Sequence, residues 1–155
     1  MDLVVLAGLQ GSGKSTFYHA RFADTHAHVS RDLFPNARDP LRRQEALVSE
    51  AARAGRSVVV DNTNARREDR TALVLLARSL GMRPVLYWFP PDVKGSLARN
   101  AGRTGKARVP ALAIHATRRR LAPPDRSEGF ARVYEVSATP EGGFTVAPRP
   151  DLSAG

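Results

Sequence analysis

The sequence of 155 residues contains no cysteine, which excludes a disulfide framework and any thiolate metal site. No apolar run is long enough to cross a membrane, and no basic segment precedes the first apolar run, as a signal peptide would require. Acidic residues are few, with 15 Asp and Glu against 24 Lys and Arg, for a net charge of +9. We therefore expect a cytoplasmic protein without a membrane partner. The charge favours a polyanionic partner, although an arginine-rich genome would produce the same excess.

Short apolar runs alternate along the chain with stretches of helical periodicity. Several runs are apolar without interruption, which indicates strands buried on both faces, as in a parallel sheet covered by helices. The predicted strands are residues 3–7, 27–30, 57–60, 84–89 and 131–136, and the predicted helices are residues 14–23, 39–55, 67–80, a short one after Asp92, and 111–121. The pattern predicts an α/β fold with a parallel sheet of about four to five strands flanked by helices.

The chain is most simply one domain over residues 1–136, which is long enough for a complete core. Within it, residues 92–109 carry glycines, many cations and few large apolar side chains, which is typical of a mobile helical lid rather than of core. Residues 137–155 contain Pro-Glu-Gly-Gly and a short run at 144–147. That pattern predicts a C-terminal hairpin followed by a loose tail.

Residues 8–15, Gly-Leu-Gln-Gly-Ser-Gly-Lys-Ser, follow the first predicted strand and have the spacing G-x-x-x-x-G-K-[ST]. Their glycines let successive backbone N–H groups point at one phosphate, and the helix that begins near Lys14 adds the positive end of its dipole. Lys14 is placed to contact the β- and γ-phosphates, and the Ser15 hydroxyl to bind Mg²⁺. A glycine turn that happens to precede a lysine is the alternative, which the strand–loop–helix context disfavours. The predicted nucleotide-binding residues of this P-loop are Gly8, Gly11, Ser12, Gly13, Lys14, Ser15 and Thr16.

Two acidic patches follow the ends of other predicted strands, where a parallel sheet places functional residues. In Ser30-Arg31-Asp32, the carboxylate of Asp32 can accept the proton of an attacking hydroxyl; an Arg–Asp pair on a loop is an equally weighted alternative. Asp61-Asn62-Thr63-Asn64 follows a buried strand, so Asp61 is a candidate for a carboxylate near the metal or near a basic partner. A polar turn with a helix cap is the alternative for that segment.

Arg99 and Arg103 form a third candidate, within the predicted lid. At a spacing of four residues, both would project from one face of a helix. Two guanidinium groups on a mobile helix suit closure over a triphosphate and neutralisation of charge during transfer. A solvated basic face is the alternative, and it is the better explanation of this patch taken alone.

In order and spacing, GLQGSGKST, SRD, VVVDNTN, ARNAGR, the Val109-Pro110 step and PPDRSEGF resemble the polynucleotide 5′-hydroxyl kinase family, over roughly residues 2–136. The resemblance implies a P-loop kinase fold and Mg²⁺-dependent transfer of the γ-phosphate of ATP, or of another nucleoside triphosphate, to the 5′-OH end of DNA or RNA during repair. The resemblance also implies roles for single residues. The implied catalytic residues are Lys14, Asp32, Arg99 and Arg103, of which the two arginines also bind the nucleotide. The implied metal-facing residues are Ser15, Asp32 and Asp61, and the implied acceptor-facing residues are Arg31, Asp32, Asp61 and Asn64.

The sequence departs from the family at Pro35, where some branches have an arginine that holds the 3′-phosphate of the acceptor. Arg38 and Arg70 are the candidate substitutes. Many relatives also carry a fused phosphatase, phosphodiesterase or ligase domain, for which this chain has no room. A repair phosphatase or ligase is therefore expected on a separate chain.

Two other functions fit parts of the same pattern. A small-molecule kinase of the sugar, nucleoside or zeta-toxin type would share the P-loop and the fold, but the basic charge and the DNTN and EGF segments argue against it. A nucleotide-gated nucleic-acid-binding protein would share the charge without transferring phosphate.

Overall fold

The computed structural model describes residues 1–155 and contains a single sheet of six strands. The strands are β1 (Asp2–Ala7), β2 (His26–Val29), β3 (Ser57–Asp61), β4 (Arg83–Trp88), β5 (Arg132–Ala138) and β6 (Phe144–Pro148). Their order is β2-β3-β1-β4-β5-β6; the first five are parallel, and β6 is antiparallel to β5. The predicted α/β fold with its parallel sheet is confirmed, and an antiparallel sixth strand extends it.

Five α-helices lie between the strands, each where the sequence predicts one: α1 (Lys14–Arg21), α2 (Pro40–Arg53), α3 (Arg67–Ser79), α4 (Val93–Ala101) and α5 (Ala111–Arg120). Two of them begin at aspartate caps, because Asp39 accepts a hydrogen bond from the Arg42 N–H, and Asp92 accepts one from the Gly95 N–H. No helix is both long and apolar enough to span a membrane.

The sheet is covered on both faces, and alternate residues of the central strand β1 belong to opposite cores. Leu3 and Val5 belong to the larger core, which also contains side chains of α2, α3 and α5. Val4 and Leu6 belong to a smaller core that includes Phe17 of α1. Because β1 is buried on both faces, polar chemistry begins only where this strand ends.

β1 is also the point at which the sheet topology switches, since its neighbours are β3 on one side and β4 on the other. In open parallel sheets, ligands bind outside the carboxyl ends of the strands at such a point. The loops that follow β1, β2 and β3 lie at this edge and carry the three polar segments singled out in the sequence.

The C-terminal residues are part of the sheet rather than a loose end. β5 and β6 pair as the predicted hairpin, and Phe144 of β6 packs edge-to-face on Phe17 of α1 with ring centroids 5.1 Å apart. After β6 the chain turns back, and the Ala154 N–H donates to the Phe130 carbonyl oxygen at 2.8 Å. The expectation of a loose tail is therefore wrong, because hydrogen bonds hold the last residues to the chain just before β5.

Candidate functional site

The loop of residues 8–13 turns directly from β1 into α1. Gly11 and Gly13 have φ angles of +75° and +97°, which residues with a Cβ rarely adopt. A Cβ on Gly11 would also lie 2.6 Å from the carbonyl oxygen of Ser96 in α4. Glycine is therefore required both by the turn and by the close contact with α4. Backbone N–H groups in such a loop, at the N-terminus of a helix, form a cradle for phosphate.

Lys14 is the first residue of α1, and its ammonium group lies beneath this loop. Nζ donates to the Leu9 carbonyl oxygen at 2.8 Å and to the Gly8 carbonyl oxygen at 3.0 Å. Burial lowers the pKa of Lys14 to about 8, against the attraction of the Asp61 carboxylate. The ammonium is thus held mainly by backbone dipoles, an arrangement that a bound anion would stabilise.

Asp61 ends β3 and is nearly fully buried beside the P-loop. Its Oδ2 atom accepts hydrogen bonds from Ser15 Oγ and from His28 Nε2, both at 2.8 Å. Burial alone would raise the pKa of Asp61, but the hydrogen bonds from His28 and Ser15 and the charge of Lys14 outweigh it, so that the pKa lies below its usual value. Asp61 is therefore ionised, and its carboxylate orients the hydroxyl of Ser15 at the end of the P-loop.

An open cleft of about 490 Å³ lies between the P-loop, the ends of β2 and β3, and the segment after α4. We call the lining residues of the P-loop, α1 and β3 (Gly11, Lys14, Ser15 and Asp61) the P-loop wall, and those of the segments after β2 and α4 (Arg31, Asp32, Arg103 and Lys106) the Asp32 wall. The structure thus brings together most of the predicted catalytic and metal residues. The other predicted P-loop residues, Gly8, Ser12, Gly13 and Thr16, lie in the loop and the first turn of α1 without lining the cleft.

On the Asp32 wall, the turn that carries Arg31 and Asp32 is anchored through its backbone. Asp32 lies in a short 3₁₀ turn, and its N–H donates to Ser30 Oγ at 3.4 Å. Asn62 holds the same turn, since its Oδ1 accepts from the Arg31 N–H at 2.9 Å and its Nδ2 donates to Gln44 Oε1 at 2.7 Å. The backbone is therefore fixed, while the side chains of Arg31 and Asp32 are exposed to the cleft.

The two lid arginines differ from the expectation. α4 ends at Ala101, so Arg103 lies beyond the helix and does not share a helical face with Arg99. Arg99 Nε donates to the Gly11 carbonyl oxygen of the P-loop, whereas Arg103 lines the cleft. The predicted pair on one helical face is therefore wrong, because the helix stops between the two residues. Arg99 instead joins α4 to the P-loop.

The base of the lid is packed. Ser96 is fully buried and Asn100 nearly so. The Asn100 side chain donates to the Val109 carbonyl oxygen at 2.7 Å and accepts from the Val109 N–H at 2.9 Å, which closes the loop of residues 101–108. The interpretation of residues 92–109 as lying outside the core is wrong for Ser96 and Asn100.

Three predicted acceptor residues lie outside the cleft. Arg70 is fully buried and bonds Glu128 through Nε at 2.6 Å and Nη2 at 3.0 Å. The buried Asn64 amide donates to the Leu6 carbonyl oxygen at 2.7 Å. Arg38 is exposed ahead of α2 and does not line the cleft. The acceptor roles predicted for Arg70 and Asn64 are wrong, because contacts within the fold already occupy both side chains.

A second cavity, of about 250 Å³, lies on the other side of the P-loop, towards β4 and β5. Ser12 of the P-loop, Ser96 and Arg99 of α4, and the end of β5 line it. The buried Ser96 Oγ has no hydrogen-bond partner there. P-loop residues therefore line both cavities; Asp32 and Asp61 line the first, and Arg99 and Asp92 line the second.

The residues of the cleft fit a nucleoside triphosphate with Mg²⁺. Mg²⁺ beside phosphates takes only one or two protein carboxylates and keeps several waters, which agrees with the Ser15 hydroxyl held by Asp61. Asp32, the third predicted metal residue, lines the same cleft. No cluster of three or more His, Asp or Glu side chains is arranged to hold a metal by itself.

Sequence reasoning missed two residues of this region. His28 bonds Asp61, yet a lone histidine in a short edge strand gives no pattern that singles it out. Lys106 lines the cleft from the loop closed by Asn100. Its signal was present, since it lies three residues after Arg103 in a glycine-rich basic segment.

Comparison with known sequences places the chain among described proteins. Residues 3–124 match the sequence profile of the family described as AAA domain. The transcription factor bHLH140 of Arabidopsis thaliana is 29% identical over 108 residues. The match covers 66% of this chain but only 12% of that protein, so the chain spans a small part of its relative.

Solved structures share the architecture at low sequence identity. A gluconokinase from Sinorhizobium meliloti 1021 matches with a TM-score of 0.64 and 22% identity, over 90% of this chain and 84% of that chain. A chain of the Pnkp1/Rnl/Hen1 complex matches with a TM-score of 0.55 and 24% identity, over 68% of this chain and 40% of that chain. At these identities the likeness shows the fold alone.

Proposed function

Because the chain belongs to the AAA domain family and has the α/β fold of P-loop kinases, we propose that it is a Mg²⁺-dependent kinase that transfers the γ-phosphate of ATP to the 5′-hydroxyl end of DNA or RNA. The observation that carries the proposal is that one cleft is lined both by a phosphate cradle and by an exposed carboxylate and several cations. A phosphate donor and a hydroxyl acceptor with an anionic backbone require such a pair.

The donor triphosphate is assigned to the P-loop. Backbone N–H groups of residues 8–13 and the Lys14 ammonium bind its phosphates, and Ser15 with Asp61 holds Mg²⁺. When bound, Mg²⁺ supplies neutralisation of charge on the phosphate oxygens. The nucleoside is assigned to the second cavity, where Arg99 offers a planar guanidinium group and Ser96 an unpartnered hydroxyl.

Asp32 is assigned to the acceptor. Its exposed carboxylate accepts the proton of the 5′-hydroxyl group as that oxygen forms a bond to the γ-phosphorus. The bond from the γ-phosphorus to its bridging oxygen breaks, and the leaving group carries away that electron pair as ADP. Arg103 and Lys14 stabilise the charge on the phosphoryl group in transfer. Most of the rate then comes from positioning and charge neutralisation.

The cations of the cleft favour a polyanionic acceptor. Arg31, Arg103 and Lys106 line the same cleft as Asp32, and none of them forms an ion pair with a carboxylate in the structure. The backbone phosphates next to the 5′ end of a nucleic acid would neutralise these charges, and the counterions bound to those phosphates would be released. The net charge of +9 attracts the same class of acceptor from a distance.

A small-molecule kinase is the second candidate. It is favoured by the similarity to the gluconokinase, which extends over 84% of that chain. The same P-loop wall would serve such an enzyme, so the two candidates differ only in what the Asp32 wall binds.

Transfer of label from γ-labelled ATP tests the proposal. The acceptors are a 5′-hydroxyl DNA strand, the same sequence as RNA, a nucleoside, gluconate, and a matched strand that already carries a 5′-phosphate. We expect label on the 5′-hydroxyl strands, none on the phosphorylated strand, and loss of transfer in Asp32→Asn. Label found only on gluconate or the nucleoside would establish the small-molecule kinase instead.

A further inference from the structure

The side chain of His28 contacts Asp61. The sequence pattern does not predict this contact, and the roles proposed for the site residues do not explain it. The His28 Nε2 atom lies 2.8 Å from Asp61 Oδ2, the same oxygen that accepts the Ser15 hydroxyl proton at 2.8 Å. The Asp61 side chain is 3% exposed and the His28 side chain is 18% exposed. One carboxylate oxygen is thus fixed by two donors, one from β2 and one from α1.

The imidazole ring is itself held in place. It stacks on Tyr18 of α1 with ring centroids 3.9 Å apart and an angle of 13° between the planes. The Tyr18 hydroxyl in turn donates to the His26 carbonyl oxygen at 2.7 Å, which ties α1 to β2. A ring fixed by stacking presents its N–H at a defined position and loses little side-chain entropy when it donates.

We propose that His28 is a positioning residue for the metal side of the P-loop: its Nε2–H fixes the Asp61 carboxylate so that Asp61 and the Ser15 hydroxyl face the Mg²⁺ that accompanies bound ATP. The inference rests on the nucleotide-binding part of the proposed function and is independent of the acceptor. Partners that orient the groups around a metal change metal affinity by roughly 10- to 100-fold when they are removed.

A neutral imidazole suffices for this role, provided that its proton is on Nε2. Without this donor, the buried carboxylate keeps only the Ser15 hydroxyl as a hydrogen-bond partner and can rotate towards the Lys14 ammonium. Rotation would leave the Ser15 hydroxyl without its acceptor. The loss therefore falls on Mg²⁺ rather than on the phosphate cradle, whose contacts come from the loop backbone and Lys14.

Two substitutions separate the hydrogen bond from the stacking. His28→Phe keeps a ring on Tyr18 and removes the donor. His28→Gln removes the ring and places an amide N–H near the position of Nε2. His26→Phe is the matched control, because His26 lies on the same strand and bonds Thr25 rather than Asp61.

The experiment measures ATP affinity by titration calorimetry, in EDTA and over a series of Mg²⁺ concentrations. Mg²⁺ should increase the affinity for ATP. We expect His28→Phe to raise the Mg²⁺ concentration that gives half of this increase by roughly 10- to 100-fold. ATP affinity in EDTA should stay unchanged, and His28→Gln and His26→Phe should resemble the unmodified protein. An unchanged Mg²⁺ dependence in His28→Phe, or equal losses in both His28 variants, would overturn the inference.

Nitrogen NMR of the unmodified protein keeps the inference testable if His28→Phe does not fold. We expect a protonated Nε2 on His28, whose signal shifts when Mg²⁺ joins the ATP complex, while the signal of the exposed His115 stays in place. An unprotonated Nε2 would contradict the inference while leaving ATP binding intact. A protein that binds no ATP under any condition would instead refute the proposed function and this inference with it.

Discussion

The two walls of the cleft hold their carboxylates in opposite ways. On the P-loop wall, Asp61 is 4% exposed and accepts hydrogen bonds from two side chains. On the other wall, Asp32 is exposed, and only its backbone N–H bonds a side chain, that of Ser30. The first carboxylate is therefore oriented before any ligand arrives, whereas the second is positioned by its turn and left free to meet a substrate.

This difference separates two tasks. Orienting a small divalent ion and a triphosphate requires a rigid set of groups, because their geometry is the same in every cycle. Binding the flexible 5′ end of a nucleic acid requires exposed charged groups, because that end can approach the site in many conformations. We infer that the P-loop wall sets the chemistry and that the Asp32 wall selects the acceptor.

The largest expected effect comes from the P-loop wall. Lys14→Met removes the charge that meets the phosphates, so transfer should fall by roughly 10³- to 10⁵-fold, the range for groups that stabilise charge in phosphoryl transfer. Initial rates with γ-labelled ATP measure it. Near-normal transfer by the folded variant would show that the loop does not bind the donor.

The same variant should not lose stability. Burial lowers the pKa of Lys14 from 10.5 to about 8. The folded pKa lies below the unfolded one, so the cost of burying the charge is fully present below pH 8 and disappears as the pH rises towards 10.5. At pH 7 that cost is on the order of 3 kcal/mol. We therefore expect Lys14→Met to unfold at or above the unmodified midpoint in urea at pH 7.

A smaller effect, on stability, is expected at the buried ion pair of Arg70 and Glu128. Glu128→Gln breaks the buried pair with Arg70 and should lower the free energy of unfolding by about 3–5 kcal/mol. Asp2→Asn breaks the exposed pair with Arg83 and should cost less than about 1 kcal/mol. Urea unfolding of the two variants measures both. Equal losses would show that the buried pair contributes no more to stability than the exposed one.

The smallest effects are expected on the Asp32 wall, where each cation contributes separately to nucleic-acid binding. Arg103→Ala and Lys106→Ala should each reduce the slope of log affinity for a single strand against log salt by about 0.7. Lys94→Ala is the control, since Lys94 lies on α4 outside the cleft and should leave the slope unchanged. Fluorescence titrations of a labelled strand at several salt concentrations measure these slopes. A larger change in Lys94→Ala than in Arg103→Ala would place the strand elsewhere.

The sequence predicts the P-loop better than it predicts contacts between distant segments of the chain, for a physical reason. The P-loop is local, so that the spacing of Gly8, Gly13 and Lys14 encodes its own geometry. The strands and helices were likewise visible in the apolar pattern. Arg70 could not be read correctly, because its partner Glu128 lies 58 positions later in the chain. The same holds for His28, whose contact with Asp61 exists only once β2 and β3 are paired.

The separation of the two walls is tested most directly by comparing Asp32→Asn with Asp61→Asn in ATP binding. Titration calorimetry with and without Mg²⁺ should show ATP affinity within about twofold of the unmodified protein for Asp32→Asn, which loses transfer alone. Asp61→Asn should lose roughly 10- to 100-fold of its Mg²⁺ affinity. Equal losses of Mg²⁺-dependent ATP binding in the two variants would contradict the account, because both carboxylates would then serve the donor.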